Sequence, residues 1–212
     1  MYTPPQFNST DRAIAAELMR AHPFATLISN DDDGLPYITH LPLVLDDRGE
    51  DGFALLGHCA KPNAHWRYLR ARPTAVVSFL GPHAYLSPSV YPDLARVPTW
   101  NYLAVHLYGT LELLDPEDSY AVMAATVDRY EAPVAEPVHM PDVEGYARRI
   151  APGAVGFRLA VTRWQGKAKL SQDKPRAVAE RVVEHLGTDP HYAEPALAAE
   201  MRAELDRRPD WT

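Results

Sequence analysis

The sequence predicts an α+β protein: a small six-stranded antiparallel β-barrel with peripheral helices. Six apolar, β-branched segments are separated by polar turn segments, as in an antiparallel meander. These segments do not alternate regularly with helices, which disfavours a doubly wound parallel sheet. The chain also has 20 prolines and 11 glycines, spread along its length. Because proline interrupts helices, this spacing excludes a bundle of long helices over the first half.

Capping residues and apolar periodicity predict the helices. The first helix covers residues 9–21, with Ser9 or Thr10 as its N-cap and Pro23 just beyond its end. The other predicted helices are 60–72, 116–130, 142–150, 174–186 and 194–207.

Alternation of apolar and polar residues predicts the strands. The predicted strands are 24–30, 37–46, 53–59, 74–81, 101–115 and 154–170. Residues 82–100 contain four prolines and are predicted to form a long loop. Gly109 is expected to mark a bulge or a bend in the fifth strand.

The charge and cysteine content exclude several classes of protein. The net charge of −7 argues against a broad nucleic-acid-binding face. The single cysteine, Cys59, excludes an intramolecular disulfide framework and a cysteine-rich zinc module. No segment resembles a signal peptide or a run of about 18 apolar residues. We therefore expect a reduced, cytoplasmic protein without a membrane segment.

Common catalytic motifs do not occur. The nine histidines include no His-Glu-x-x-His pattern, so we expect structural or ligand-facing histidines and no metal site. There is no Gly-x-Ser-x-Gly elbow, and Cys59 ends an apolar strand, where a buried thiol is expected. Neither a P-loop nor a Gly-x-Gly-x-x-Gly motif is found, which excludes nucleotide binding by those loops.

Three segments carry groups that suit an anionic, aromatic ligand. His58, Lys61 and Asn63 lie where a strand leads into a helix, which favours an anion site or else an ordinary solvated loop. Trp100 and Asn101 suit a planar heteroaromatic ring with polar edges, unless the tryptophan packs in the core. Residues 164–174 combine lysines with Ser171 and Gln172, and form either an anion clamp or a solvated loop.

The C-terminal pair of predicted helices resembles a helix-turn-helix in outline only. Between residues 174 and 208, six Lys and Arg residues are opposed by seven Asp and Glu residues, a net charge of −1. A helix that reads DNA normally presents basic residues to the phosphates. Direct DNA binding is therefore not expected.

The chain resembles the PaiB-type FMN-binding proteins, a family often described as negative transcriptional regulators. The segments that carry the resemblance occur in the family's order: MYTPPQF, THLPLVL, LLGHCAKPNAHW, GPHAYLSPSVY, VPTWNYLAVHLYG and GKAKLSQDK. The resemblance covers residues 1–187 and implies a flavin-binding split barrel that forms a homodimer with FMN at the subunit interface. Residues 188–212 lie outside it and are predicted to be a helical C-terminal extension.

The resemblance also implies a set of flavin-binding residues. Thr39 and His40 would line the flavin, and Trp100 with Asn101 would lie beside the isoalloxazine ring. A further segment, 169–172, would close the site from the partner subunit. The complete implied set is Thr39, His40, His58, Lys61, Asn63, Trp100, Asn101, Lys169, Leu170, Ser171 and Gln172.

The sequence thus favours an FMN-binding split-barrel protein of the PaiB type, a negative transcriptional regulator by its resemblance. The alternative is an FMN-dependent oxidoreductase that acts on a small aromatic or nicotinamide substrate. A barrel that binds no flavin and senses another ligand is a third hypothesis. No residue in the sequence marks a catalytic acid or base for the second or the third.

Overall fold

The computed structural model describes residues 1–46, 52–91 and 97–211, and it confirms the α+β class. Besides the six long strands, the described residues contain two strands of two residues each. The strands are β1 (Asn8–Ser9), β2 (Phe24–Asn30), β3 (Pro36–Pro42), β4 (Val44–Leu45), β5 (Ala54–Ala60), β6 (Thr74–Leu86), β7 (Thr99–Leu113) and β8 (Ala154–Lys169). The helices are α1 (Arg12–Ala21), α2 (His65–Ala71), α3 (Pro116–Glu131), α4 (Glu144–Ile150), α5 (Arg176–Thr188) and α6 (Pro195–Arg207).

The strands form a sheet in the order β3-β2-β6-β7-β8-β5-β4, and β1 pairs with β8 outside this path. The pairings β2–β3, β2–β6, β4–β5 and β5–β8 are antiparallel, as the meander prediction requires. Edge strand β3 therefore has β2 as its only neighbour in this order.

The chain divides into two compact units. The first unit comprises Met1–Ala21, Leu80–Val105 and Gln165–Thr212, and the second comprises His22–Phe79 and His106–Trp164. The core of the first unit includes Met19, Leu86, Leu170, Leu186, Leu197 and Met201. The core of the second unit includes Leu27, Leu55, Val77, Phe79, Leu107, Phe157 and Leu159.

The predicted loop over 82–100 is too long. Strand β6 continues to Leu86, and β7 already begins at Thr99. Alternate burial resumes after Pro82 in a shifted phase, since Ala84 and Leu86 are both buried, and this packing outweighs the proline. Residues 92–96 of that prediction lie outside the described residues.

Other predicted elements are correct in kind and wrong in their limits. The predicted strand 37–46 is divided into β3 and β4, and the predicted helix 60–72 begins only at His65, after a turn. Strand β7 runs through Gly109, where a Cβ atom would lie 2.1 Å from the carbonyl oxygen of Ala160. Gly109 therefore serves the close approach of two backbones.

No helix in the described ranges is both long enough and apolar enough to cross a membrane.

Candidate functional site

Strand β3 directs the first two predicted residues to opposite faces of the sheet. Thr39 is opposite Leu27 of β2, and the next residue, His40, is opposite Thr26. His40 is exposed, contacts the Thr26 hydroxyl through Nδ1 at 3.1 Å, and stacks against Phe24. Thr39 and His40 therefore cannot contact a ligand from the same side of their strand.

Thr39 belongs to a hydrogen-bonded network that we call the Asn63 cluster, made up of Ser29, Thr39, Asn63 and His65. The Asn63 Nδ2 donates to Thr39 Oγ1 at 3.2 Å, and Asn63 Oδ1 accepts from the backbone N–H of His65 at 3.0 Å. Asn63 Oδ1 also accepts from the Tyr37 hydroxyl at 3.3 Å. Asn63 thus fixes the turn into α2 and ties it to β3.

His65 is the centre of this cluster, and sequence reasoning assigned it no role. Its Nδ1 lies 2.7 Å from Thr39 Oγ1 and its Nε2 lies 2.9 Å from Ser29 Oγ. The side chain is only 1% exposed, and burial lowers the pKa of His65 from 6.5 to about 4. The imidazole is therefore neutral at pH 7, with one nitrogen donating and the other accepting.

Lys61 presents an exposed side chain on the turn before α2. Its backbone N–H donates to the carbonyl of Gly153 at 2.8 Å, and the backbone N–H of Asn63 donates to Ala60. The backbone N–H groups of Lys61 and Asn63 are thus already used. The side-chain ammonium of Lys61, which is exposed, remains as the group that can meet an anion.

Lys61 lines a cavity of about 390 Å³ together with Trp66 and Arg70. The Arg70 guanidinium lies 4.7 Å from the centre of the Trp66 ring, and the indole N–H donates to the carbonyl of Lys61 at 2.9 Å. Arg148 also lines the cavity, but it is paired with glutamates. The lining thus combines two cationic side chains, Lys61 and Arg70, with the aromatic ring of Trp66. Such a lining suits a phosphate that is attached to a larger group.

His58 lies on β5 and lines a different cavity of about 450 Å³. Burial lowers the pKa of His58, and its Nδ1 is buried with no hydrogen-bond partner among the described residues. Cys59, the next residue, is buried as predicted, and burial raises the pKa of its thiol. His58 therefore lines a cavity other than the one that Lys61 lines.

The second group of predicted residues meets in what we call the Ser171 cluster, made up of Thr99, Asn101, Lys169 and Ser171. Asn101 Nδ2 donates to Ser171 Oγ at 2.9 Å and contacts the sulfur of Met201 at 3.5 Å. The Asn101 side chain is 1% exposed, and its Oδ1 has no partner among the described residues. A buried amide oxygen without a donor is costly, which makes Asn101 the unsatisfied member of this cluster.

The backbone of Ser171 is strained. Its φ of 68° lies in the left-handed region, which residues with a Cβ rarely adopt. Among the described residues, no other residue besides glycine has a positive φ. Strain of this kind is typical of ligand-binding sites.

Lys169 is held beside Trp100 by two hydrogen bonds. Its ammonium donates to the Thr99 hydroxyl and to the carbonyl of Trp100, the latter at 2.7 Å. Partial burial lowers the pKa of Lys169. The Trp100 ring points away from Asn101, because successive residues of β7 face opposite sides, and it is 52% exposed.

The predicted closing segment meets Asn101 within one chain. Lys169 and Ser171 contact Thr99, Trp100 and Asn101, because the end of β8 brings this segment to the start of β7. That 169–172 closes the flavin site of the partner subunit stays a prediction of the resemblance.

Leu170 and Gln172 act inside this segment. The Leu170 side chain is fully buried, and its backbone N–H donates to Gln172 Oε1 at 2.7 Å. Gln172 Nε2 donates in turn to the carbonyl of Ala168 at 2.8 Å. Both residues stabilise the turn that places Ser171 next to Asn101.

Each unit, taken by itself, offers groups that suit one part of FMN. In the second unit, the exposed ammonium of Lys61, which lines a cavity with Arg70, suits a phosphate. In the first unit, the unpartnered Asn101 Oδ1 matches a ring N–H in hydrogen-bonding type. The exposed Trp100 ring offers a flat apolar surface. In the described parts of the chain, no group of three His, Cys, Asp or Glu side chains is placed to hold a metal ion.

Comparison with known proteins supports the same ligand. The family described as "Putative FMN-binding domain" matches residues 1–163. The "Protease synthase and sporulation protein PAI 2" of Bacillus subtilis is 31% identical over 98% of this chain and 100% of its own length.

Solved structures share the fold at lower identity. Rv2991 from Mycobacterium tuberculosis has a TM-score of 0.60 at 15% identity, covering 83% of this chain and 95% of its own. The FAD and heme binding protein from Mycobacterium smegmatis has a TM-score of 0.56 at 20% identity, covering 76% of this chain and 73% of its own. The chain thus belongs to the FMN-binding family of split-barrel proteins that resemble PAI 2, and FMN is its cofactor.

Proposed function

We propose that this protein is a homodimeric FMN-binding regulator of the PaiB type that acts through its flavin without reading DNA itself. The observation that carries this proposal is the Ser171 cluster, where a strained backbone holds a buried amide with one atom left unpaired. Such an arrangement is unfavourable in the protein alone and is offset when a ligand supplies the missing donor.

In this proposal each part of FMN has its own protein groups. In the second unit, Lys61 with support from Arg70 is the candidate for the phosphate. In the first unit, Asn101 and Ser171 are the candidates for the polar edge of the ring system. Lys169 and Gln172 orient the segment that carries Ser171, Thr39 holds Asn63, and Trp100 offers an apolar face. His40, on the other side of its strand, and His58, in another cavity, stay predictions of the resemblance. The bound FMN supplies electron-transfer chemistry from its isoalloxazine ring. The protein groups bind it, orient it and exclude water.

An exposed apolar face on β2 and β3 supports the homodimer. Phe24 is 69% exposed and Ile38 is 54% exposed, on the face that also carries His40. Thr26 and His40 lie between them on this face. A sheet face that exposes large apolar side chains is a candidate interface. Ile38→Asp is expected to give monomers in light scattering, while Val134→Asp, at another exposed apolar residue, keeps the dimer. If both variants remain dimeric, the face that carries Ile38 is not the dimer interface.

Internal pairing of the C-terminal arginines supports regulation without direct DNA contact. Glu204 is paired with both Arg207 and Arg208, at 2.9 and 2.7 Å. Arg176 is paired with Glu180 and also donates to the carbonyl of Leu205. Cations that are held in this way are not available to neutralise DNA phosphates.

The experiment that tests the flavin site is a titration of Lys61→Ala with FMN and with riboflavin. Losing a charge-assisted contact is expected to weaken FMN binding roughly ten- to a hundredfold. Riboflavin lacks the phosphate and should bind the wild type and the variant alike. Arg72→Ala is the control, because Arg72 is paired with Asp32 and does not line the cavity. Equal losses for both ligands would contradict a phosphate contact at Lys61.

Direct DNA binding is tested by a mobility-shift titration at increasing salt. The acidic chain is expected to show no sequence-preferring complex at about 150 mM salt, since nonspecific binding falls steeply with salt. A sequence-specific complex that persists there would contradict regulation without DNA contact.

A second candidate function is an FMN-dependent oxidoreductase. One observation favours it: a cavity of about 420 Å³ adjoins Trp100 and has room for a second small molecule. Under anaerobic conditions, an oxidoreductase would reduce bound FMN with NADPH faster than free FMN is reduced. Binding without such acceleration favours the regulator.

A further inference from the structure

A cavity in the first unit is walled by aromatic side chains, of which only Trp100 also enters the flavin proposal. It has a volume of about 420 Å³ and is lined mainly by His83, Tyr85, Trp100, His191, Tyr192 and Glu194. This volume lies within the usual range for small-molecule sites, roughly 300–1,000 Å³. Three of the six residues come from the segment between α5 and α6, outside the resemblance on which the flavin set rests.

The rings of His83, Tyr85, Trp100 and Tyr192 are inclined to one another, and we call this arrangement the cage. The Trp100 ring lies 5.8 Å from His83 and 6.3 Å from Tyr85, at interplanar angles of 67° and 73°. Tyr85 lies 5.4 Å from Tyr192, tilted by 47°. Because none of these pairs is parallel, the cavity does not sandwich a flat ring. Several inclined rings suit a compact group that can meet more than one ring face.

The segment that carries Tyr192 is already fixed in place. Asp189 Oδ1 accepts the backbone N–H groups of both His191 and Tyr192, each at 2.8 Å. The backbone N–H of Glu194 donates to the carbonyl of Leu186 at 2.8 Å. These bonds anchor the segment at both ends, so a ligand meets a preformed wall.

The charged groups that line the cavity determine which sign of charge a ligand should carry. Glu194 is the only Asp, Glu, Lys or Arg among the described lining residues. The ammonium of Lys169 is tied to the carbonyl of Trp100 and is not part of the lining. Aromatic faces and a carboxylate both attract a positive charge.

We propose that this cavity binds a compact organic cation, an alkylammonium or quaternary ammonium group, with Trp100, Tyr85 and Tyr192 around the cation and Glu194 as its counter-charge. The inference does not depend on bound FMN. Trp100 is shared with the flavin proposal, so the test variants are placed at Tyr192 and Glu194.

Calorimetric titration of the full-length protein at pH 8 tests the site with two molecules of the same shape. Choline carries the charge, and 3,3-dimethylbutan-1-ol is its neutral counterpart. Choline is expected to bind at least tenfold more tightly. Glu194→Gln should reduce choline affinity about tenfold and leave the alcohol unchanged, whereas Tyr192→Leu should weaken both. Asp210→Asn, an exposed acid that does not line the cavity, should match the wild type.

A planar cation and FMN complete the experiment. The cage geometry predicts weaker binding of 1-methylnicotinamide than of choline. FMN titration of the same variants should match the wild type, which verifies folding and separates the two proposals. Choline binding in a protein that fails to bind FMN would support the cage and contradict the flavin site. Equal affinity for choline and the alcohol, or choline affinity unchanged by Glu194→Gln, would overturn the cage.

Discussion

The two polar clusters, one in each unit, differ in how completely their hydrogen-bonding capacity is used. In the Asn63 cluster, both nitrogens of His65 are bonded, and Asn63 Oδ1 accepts two hydrogen bonds. In the Ser171 cluster, Asn101 Oδ1 is buried without a partner, and Ser171 has a positive φ. Both clusters contain residues that the family resemblance implies for FMN.

This difference indicates that one cluster stabilises the fold and the other binds a ligand. A saturated network rigidifies the elements that it joins, here α2, β2 and β3, and it has little capacity left for a ligand. A network that is strained and has an unpaired atom is unfavourable without its ligand. Proteins keep such networks at sites where ligand binding depends on them. We infer that the Asn63 cluster positions Lys61, whereas the Ser171 cluster contacts the flavin.

The largest effect is expected from His65→Leu. This substitution leaves the buried Ser29 hydroxyl without its partner and removes one from Thr39, which should lower the free energy of unfolding by about 2–4 kcal/mol. Urea denaturation at pH 7.5 measures it. His83→Leu, at an exposed histidine, should stay within about 0.5 kcal/mol of the wild type. A loss at His65 no larger than this would mean that the Asn63 cluster does not stabilise the fold.

The same histidine predicts a loss of stability in acid. The folded protein has the lower pKa for His65, about 4 against 6.5, so the unfolded chain binds this proton more readily. The contribution is fully present above pH 6.5 and is lost as pH falls towards 4, a total of about 3 kcal/mol. The difference in unfolding free energy between wild type and His65→Leu should shrink over that window. A constant difference would contradict a buried neutral imidazole.

Asn101→Leu is expected to affect FMN binding more than stability, whereas His65→Leu mainly affects stability. It removes the unpartnered Oδ1 together with one good hydrogen bond, so the flavin-free protein should change by less than about 1.5 kcal/mol. FMN affinity should fall about tenfold. Chemical denaturation and flavin fluorescence measure the two quantities. Lower stability with unchanged FMN affinity would place Asn101 with the structural residues.

The smallest effect concerns the strain at Ser171. Ser171→Ala and Ser171→Gly both remove the hydroxyl that accepts from Asn101, but only glycine relieves the positive φ. The glycine variant should therefore be the more stable of the two by about 1 kcal/mol, in flavin-free protein. Equal stability of the two variants would mean that the backbone at this position is not strained.

The long strands could be predicted from the sequence because each has alternating burial that local patterns record. The end of β6 is harder to predict, because burial changes phase at Pro82 before it alternates again through Ala84 and Leu86. Local patterns do not show which distant residues meet. Asn101 and Ser171 are 70 residues apart, and His65 and Ser29 are 36 apart.

Some features of the site leave no signal in a single sequence. Serine is not a residue type that indicates a positive φ, so the strain at Ser171 could not be predicted. The separation of Trp100 from Asn101 was predictable in principle, because neighbours on a strand face opposite sides. The cage residue Tyr192 follows a turn, and only the fold places it near Tyr85.

The two prolines of β3 restrict how this edge of the sheet can grow. Pro36 and Pro42 are the first and last residues of the strand, and neither has a backbone N–H to offer an incoming strand. Five residues remain between them, too few for a long intermolecular ladder. Concentrated protein should therefore resist amyloid-type stacking along this edge, even though the neighbouring apolar face is exposed.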